Sequence, residues 1–158
     1  MDAQCRHLLI DGYNVIHSWP RLRKYLRRGG EVARARLVEQ VRVLHDVEGI
    51  RVTIVFDGRG DDIEIERPTP DLTFSVIFSP RGLSADGVIE QLVGTARSPE
   101  SIQVSTRDNL MRETVRALGA ESLSPEELEA RIQRCEKQMA RNLERQQAGV
   151  ERAWRRRE

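Results

Sequence analysis

The feature that most constrains this chain is the alternation of short β-branched runs with longer amphipathic segments. His7–Asp11 (HLLID), 50–57 (IRVTIVFD), 72–78 (LTFSVIF) and 102–106 (IQVST) each read as a strand, with a weaker candidate at 120–123. The second is almost wholly Val, Ile and Thr, the pattern of a strand covered on both faces. Between the strands, 31–48 lines up Leu37, Val38, Val41, Leu44 and Val47 on one stripe and stops at Gly49. The segment 85–97 does the same with Val88, Ile89, Leu92, Val93 and Ala96 behind the N-cap Ser84, and 108–118 does so with Leu110, Met111, Val115 and Leu118. The last helix begins with the N-cap Ser124, Pro125 in the first turn and Glu127 closing a capping box. Strands alternating with helices imply a mostly parallel sheet covered on both faces by right-handed crossovers. The expected class is α/β, in three layers.

The 158 residues suit one domain, expected over 1–147 and ending in the long helix. The narrow seam of that helix (Leu128, Ile132, Cys135, Met139, Leu143) stops near Gln146, so 148–158 is expected to be a disordered basic tail. No apolar run is long enough to span a bilayer, and the start leads directly into a strand, so neither membrane insertion nor secretion is expected. Cys5 and Cys135 are the only cysteines, which argues against a disulfide framework or a disulfide-linked partner and for the reducing cytoplasm.

Parallel sheets of this kind bind ligands at the carboxyl ends of their strands. Acids recur there: Asp11 after the first strand, Asp57 after the second, Asp108 after the fourth, and Asp86 in the first turn of the helix after the third. Glu90 follows Asp86 by four residues and shares its helix face. Converging carboxylates cannot all stay ionised without a cation. Hard divalent ions with oxygen ligands, Mg²⁺ or Mn²⁺, match that need, and could activate water for attack on a phosphodiester. Asn14, Ser105 and Thr106 could hydrogen-bond to the carboxylates or to phosphate. Each acid also has a plainer reading: Asp11-Gly12 and Asp57-Gly58 are good turn pairs, and Asp86 and Asp108 suit a helix N-terminus. P-loop, dinucleotide-binding and nucleophile-elbow motifs are missing.

The net charge of +1 hides a strong asymmetry. Eight basic residues face two acids between Arg21 and Arg42, and nine face four between Arg131 and Glu158. Such blocks suit a polyanion, although solvated helix faces would look the same. Arg23, Lys24, Arg27 and Arg28 are the expected backbone contacts, with Tyr13 and Trp19 as stacking faces for bases and Tyr25 close by.

At LLIDGYNVIHSWP, IRVTIVFDGR, SADGVIEQLV and VSTRDNLMRETVRALGA the chain resembles the YacP-like branch of the NYN domains, which are PIN-like ribonucleases. The order and spacing of these motifs match over about residues 7–143. The resemblance implies a PIN-like fold and metal-dependent hydrolysis of single-stranded RNA. It marks Asp11, Asn14, Asp57, Asp86 and Asp108 as the acidic site, with Glu90 as a secondary acid. Some members of this branch are linked to messenger RNA cleavage on the ribosome, and the resemblance keeps that role open here. One departure stands beside the site: Thr106-Arg107-Asp108 replaces the frequent Thr-Ser-Asp, so Arg107 could grip phosphate or compete with a metal. An endoribonuclease is the leading expectation. An RNA-binding module that cuts little is the alternative, and a small-molecule phosphohydrolase would leave the basic blocks unused.

Overall fold

A computed structural model describes residues 5–157. Residues 1–4 of the expected domain and Glu158 of the expected tail lie outside the described residues. In chain order the elements are β1 (His7–Asp11), α1 (Gly12–Ser18), α2 (Pro20–Arg23), a 3-10 turn (Lys24–Arg28), α3 (Gly30–Glu48), β2 (Arg51–Phe56), β3 (Glu64–Glu66), β4 (Phe74–Phe78), α4 (Ala85–Gly94), a second 3-10 turn (Pro99–Ser101), β5 (Ile102–Ser105), α5 (Asn109–Ala117), β6 (Glu121–Leu123) and α6 (Pro125–Arg156). The sheet order is β3-β4-β2-β1-β5-β6, and every pairing is parallel except the β3–β4 edge.

Alternation along the strands divides the core into two layers. Leu8, Ile10, Val52, Ile54 and Phe56 face α1, α3 and α6, whereas Leu9, Val55 and Val104 face α4 and α5. The chain is thus a three-layer α/β structure with a long final helix.

Local chemistry explains where the boundaries differ from the expected ones. β4, the third expected strand, starts at Phe74 rather than 72 because Asp71 Oδ1 accepts both the Thr73 N–H (2.9 Å) and the Thr73 hydroxyl (2.6 Å), closing a turn that leaves Leu72 exposed. Strand β3 was not expected. It has three residues, and its Glu64 and Glu66 leave the sheet edge charged, a safeguard against edge pairing. α1 and α2 were not expected either, because Pro20 interrupts the apolar spacing of Val15, Ile16, Trp19 and Leu22.

The C-terminal segment also departs from expectation. α6 does not stop at Gln146 but continues as one helix to Arg156. Its Ala, Glu, Gln and Arg residues are good helix formers, and Gly149 costs only about 1 kcal/mol against them. Packing ends earlier than the helix does: Leu128, Ile132 and Cys135 are buried, but Leu143 is 54% exposed and everything from Arg141 to Arg157 is exposed. Deleting 148–158 should therefore lower far-UV helicity while moving the melting temperature by no more than about 2 °C, since ~0.5 kcal/mol is the usual reach of surface changes. A large fall in melting temperature would reveal a packing role for the tail.

Candidate active site

β1 runs through the middle of the sheet, and Asp11 ends it level with Val55 of β2. Asp11, Asp57 and Thr106 have the same strand parity as Leu9, Val55 and Val104, so all three face the α4–α5 side. α4 presents Asp86 from its first turn on that side. The fold thereby gathers the acids from four separate chain segments at one edge.

Each acid is held differently. Asp11 is the N-cap residue of α1, yet its side chain makes no cap bond, which leaves the buried carboxyl for the site. The Thr106 hydroxyl donates to Asp11 Oδ2 at 3.2 Å. Only glycine fits directly after it, because a Cβ on Gly12 would lie 2.2 Å from the Phe56 ring. Asp57 Oδ1 accepts the Ala85 N–H at 2.8 Å, tying the end of β2 to the start of α4. Asp108 Oδ1 accepts from the N–H groups of Leu110 (2.9 Å) and Met111 (3.2 Å), so it does cap α5, as its plainer reading held. Asn14 Oδ1 accepts the Arg107 N–H at 2.7 Å and joins α1 to the loop after β5. The Arg107 guanidinium pairs with Glu126.

The acids act on one another electrically. Burial pushes the Asp11 carboxyl up to about 7, assisted by the charges of Asp86 and Asp57 and opposed by the Thr106 hydroxyl. Asp86 is raised as well, first by burial, then by Asp108, and further by Asp57 and Glu90. Asp11 and Asp86 stand close enough for each to shift the other's ionisation. Burial and mutual repulsion thus converge on one result: this pocket carries more negative charge than it can hold unaided.

Among the described residues no three acid, histidine or cysteine side chains already stand as a metal-ligand shell. The donor set nevertheless fits a hard cation. It consists of carboxylate oxygens, and at the buried Asp11, where burial favours the protonated form, a positive neighbour would favour release of the proton.

Other expected contacts are not brought to the site. Trp19 is not a stacking surface: it is 1% exposed, and its Nε1 donates to the Pro125 carbonyl at 2.9 Å, clamping α6. Tyr13 is half-buried, edge-on to Phe56 with ring centroids 5.0 Å apart, and its hydroxyl accepts from Arg34 at 2.7 Å. It is a wall rather than a free stacking face. Ser105 is buried with the opposite strand parity from Thr106, facing the other layer. Arg23, Lys24, Arg27 and Arg28 form an exposed ledge on α2 and the 3-10 turn, without acid partners among the described residues. Lys24 and Arg36 both approach the Tyr25 ring, at 5.2 and 5.1 Å. Sequence reading missed Arg59 and Arg81, which flank Asp57 on the loops after β2 and β4. The available signal was a basic residue within three positions of two strand ends.

The family model for the YacP-like NYN domain matches residues 8–157. The chain belongs to the YacP-like NYN domain family. The NYN domains fall within the PIN-like nuclease superfamily. The chain is 29% identical over 140 residues to the uncharacterized protein YacP of Bacillus subtilis (strain 168), covering 86% of this chain and 80% of that protein. It is also similar to two crystal structures of Rae1 (YacP) from Bacillus subtilis, one of a point mutant. The mutant matches with a TM-score of 0.73 at 28% identity, covering 88% of this chain and 81% of the other. The second matches with a TM-score of 0.72 at 28% identity, covering 90% and 82%.

Proposed function

We propose that this YacP-like NYN domain is a metal-dependent endoribonuclease acting on single-stranded RNA. The observation that carries the reading is the buried Asp11, pressed up to about 7 within a group of four further carboxylates at the sheet edge. A module that only bound RNA would gain nothing from acids that repel phosphate, whereas a nuclease needs them to hold a cation. Asp11, Asp57, Asp86 and Asp108 would hold Mg²⁺ or Mn²⁺, which when bound supplies charge neutralisation at the phosphate and a more acidic water.

The chain's own groups do the rest. Thr106 orients the Asp11 carboxyl, Asn14 fixes the loop carrying Arg107, and Glu90 adds charge behind Asp86. Arg107, restrained by Glu126, stands beside the acids to meet a phosphate rather than to displace a cation. The ledge of Arg23, Lys24, Arg27 and Arg28 draws in the RNA backbone. Two free thiols and the lack, among the described residues, of a helix able to cross a membrane accord with work in the cytoplasm, where messenger RNA on the ribosome is the first substrate to try.

The test is incubation of the protein with labelled single-stranded RNA in Mg²⁺, Mn²⁺ or EDTA, beside Asp86→Asn. Internal cuts that need the ion and vanish in the variant are expected; cleavage that survives EDTA or the substitution would defeat the proposal. Reversing Arg23, Lys24, Arg27 and Arg28 to Glu should weaken RNA binding severely at low salt and little at high salt. Equal weakening at every salt concentration would remove the ledge from the binding surface.

A further inference from the structure

Two loops cross beside Asp57 so closely that they act as one support. A Cβ on Gly58 would lie 2.2 Å from the Ser79 carbonyl oxygen, so only glycine allows the crossing. The Gly58 N–H donates to Ser79 Oγ at 3.2 Å, and the Ser79 N–H donates to the Phe56 carbonyl at 2.9 Å. Beyond the crossing, the Arg81 N–H donates to the Gly60 carbonyl at 2.7 Å and Arg81 Nη2 to the Arg59 carbonyl at 3.4 Å. The loops border a shallow, open cleft of about 580 Å³ whose lining includes Asp57, Arg59, Arg81 and Ser84.

The charge of this cleft is unlike that of the acid cluster it adjoins. Arg59 pairs with no acid among the described residues, and Arg81 meets only the exposed Asp61 at 3.8 Å. An exposed pair at that distance neutralises little. Two guanidinium groups are therefore left facing solvent at the margin of a site built to attract cations. Guanidinium forks suit phosphate oxygens, and a rigid backbone support lowers the ordering cost of using them.

We infer that this cleft is a phosphate subsite in which Arg59 and Arg81 hold the RNA backbone next to the bond being cut. The inference rests on the ribonuclease reading and extends it. In the sheet order, Arg59 and Arg81 flank the acids on the β2–β4 side and Arg107 flanks them on the β5 side. A strand of RNA held at both places runs across the carboxyl ends of the strands, with its middle phosphate over Asp11 and Asp86. Arg59 and Arg81 are positioning residues, and the ledge at Arg23–Arg28 is a separate contact.

The test uses the full chain, single-stranded RNA of about a dozen nucleotides, and two double variants, R59Q/R81Q and R59K/R81K. Binding is measured in EDTA across a salt series, and cleavage is measured in Mn²⁺. For R59Q/R81Q the log–log salt slope should fall by about 1.4, at roughly 0.7 per lost phosphate contact, with an unchanged melting temperature. KM should rise on the order of tenfold while kcat stays within about twofold. R59K/R81K should recover the salt slope but only part of the affinity, because lysine keeps the charge without the fork. D61N, which releases Arg81, should tighten binding. An unchanged slope and KM in R59Q/R81Q would overturn the subsite, as would a lowered melting temperature in both doubles with the slope intact. Wild-type protein that binds with the expected arginine dependence but never cuts would defeat the nuclease reading and leave the subsite standing; cleavage that ignores both arginines would do the reverse.

Discussion

Asp11→Asn is expected to abolish RNA cleavage and to make the metal-free protein more stable. Asparagine keeps the shape nearly constant but never ionises, so it relieves the repulsion with Asp86 and Asp57. With the wild-type carboxyl lifted from 3.8 to about 7, folding is opposed at pH 8 by on the order of 4 kcal/mol, and a protein of this size gains about 2–4 °C per kcal/mol. A rise of roughly 8–16 °C at pH 8 in EDTA follows. The sign is fixed by the direction of the shift: the folded state holds this proton more tightly, so the penalty is full above 7 and fades as pH falls toward 4. The variant's advantage should fade with it. His7 acts oppositely, because burial and then Arg51 lower it to about 4, so its contribution is lost as pH falls from 6.5 to 4. The difference between variant and wild type, rather than either curve alone, isolates Asp11. Added Mn²⁺ should raise the wild-type melting temperature more than that of the variant. A variant that melts lower than wild type at pH 8 would sink this account of the site.

Trp19→Ala is expected to be the most damaging single change in the core. It empties a fully buried site at the junction of α1 and α6, costing about 3–5 kcal/mol, and strands the Pro125 carbonyl without its donor. The melting temperature should drop by 10 °C or more. Trp19→Phe should cost about 1–3 kcal/mol, mostly for the unpaired carbonyl, and leave RNA affinity unchanged. Weaker RNA binding by Trp19→Phe at an unchanged melting temperature would restore Trp19 to the binding surface.

That residue also shows why some of the molecule was legible in the sequence and some was not. Local patterns carried their own information. The stripe of Leu37, Val41 and Leu44 marked α3, Ser84 and Ser124 marked helix starts, and the acids after β1, β2 and β5 marked one sheet edge. The partner of Trp19 lies 106 residues away, so its basic neighbours suggested exposure where the fold imposes burial. Glu64–Glu66 joins the sheet only because β4 offers a free edge, and no local preference records that. Asp108 shows a third case. In the sequence, helix capping and a place in the acid cluster stand as alternatives, yet one carboxylate has two oxygens, and capping α5 with Oδ1 leaves Asp108 close enough to burden Asp86. Arg59 and Arg81 looked like ordinary loop charges until the Gly58–Ser79 crossing put them in one cleft.

The sheet order also has a bearing on when the acid site can assemble. β1 is laid down first, but one of its two neighbours is β5, and Asp108 follows that strand in the second half of the sequence. During synthesis, residues 5–100 can pair β1 with β2 and β2 with β4 while one edge of β1 stays open and Thr106 has yet to meet Asp11. The acid cluster is therefore incomplete in every shorter product of translation. A chain that stops short of β5 keeps the exposed ledge of Arg23, Lys24, Arg27 and Arg28 but lacks both Thr106 and Asp108 from the acid site.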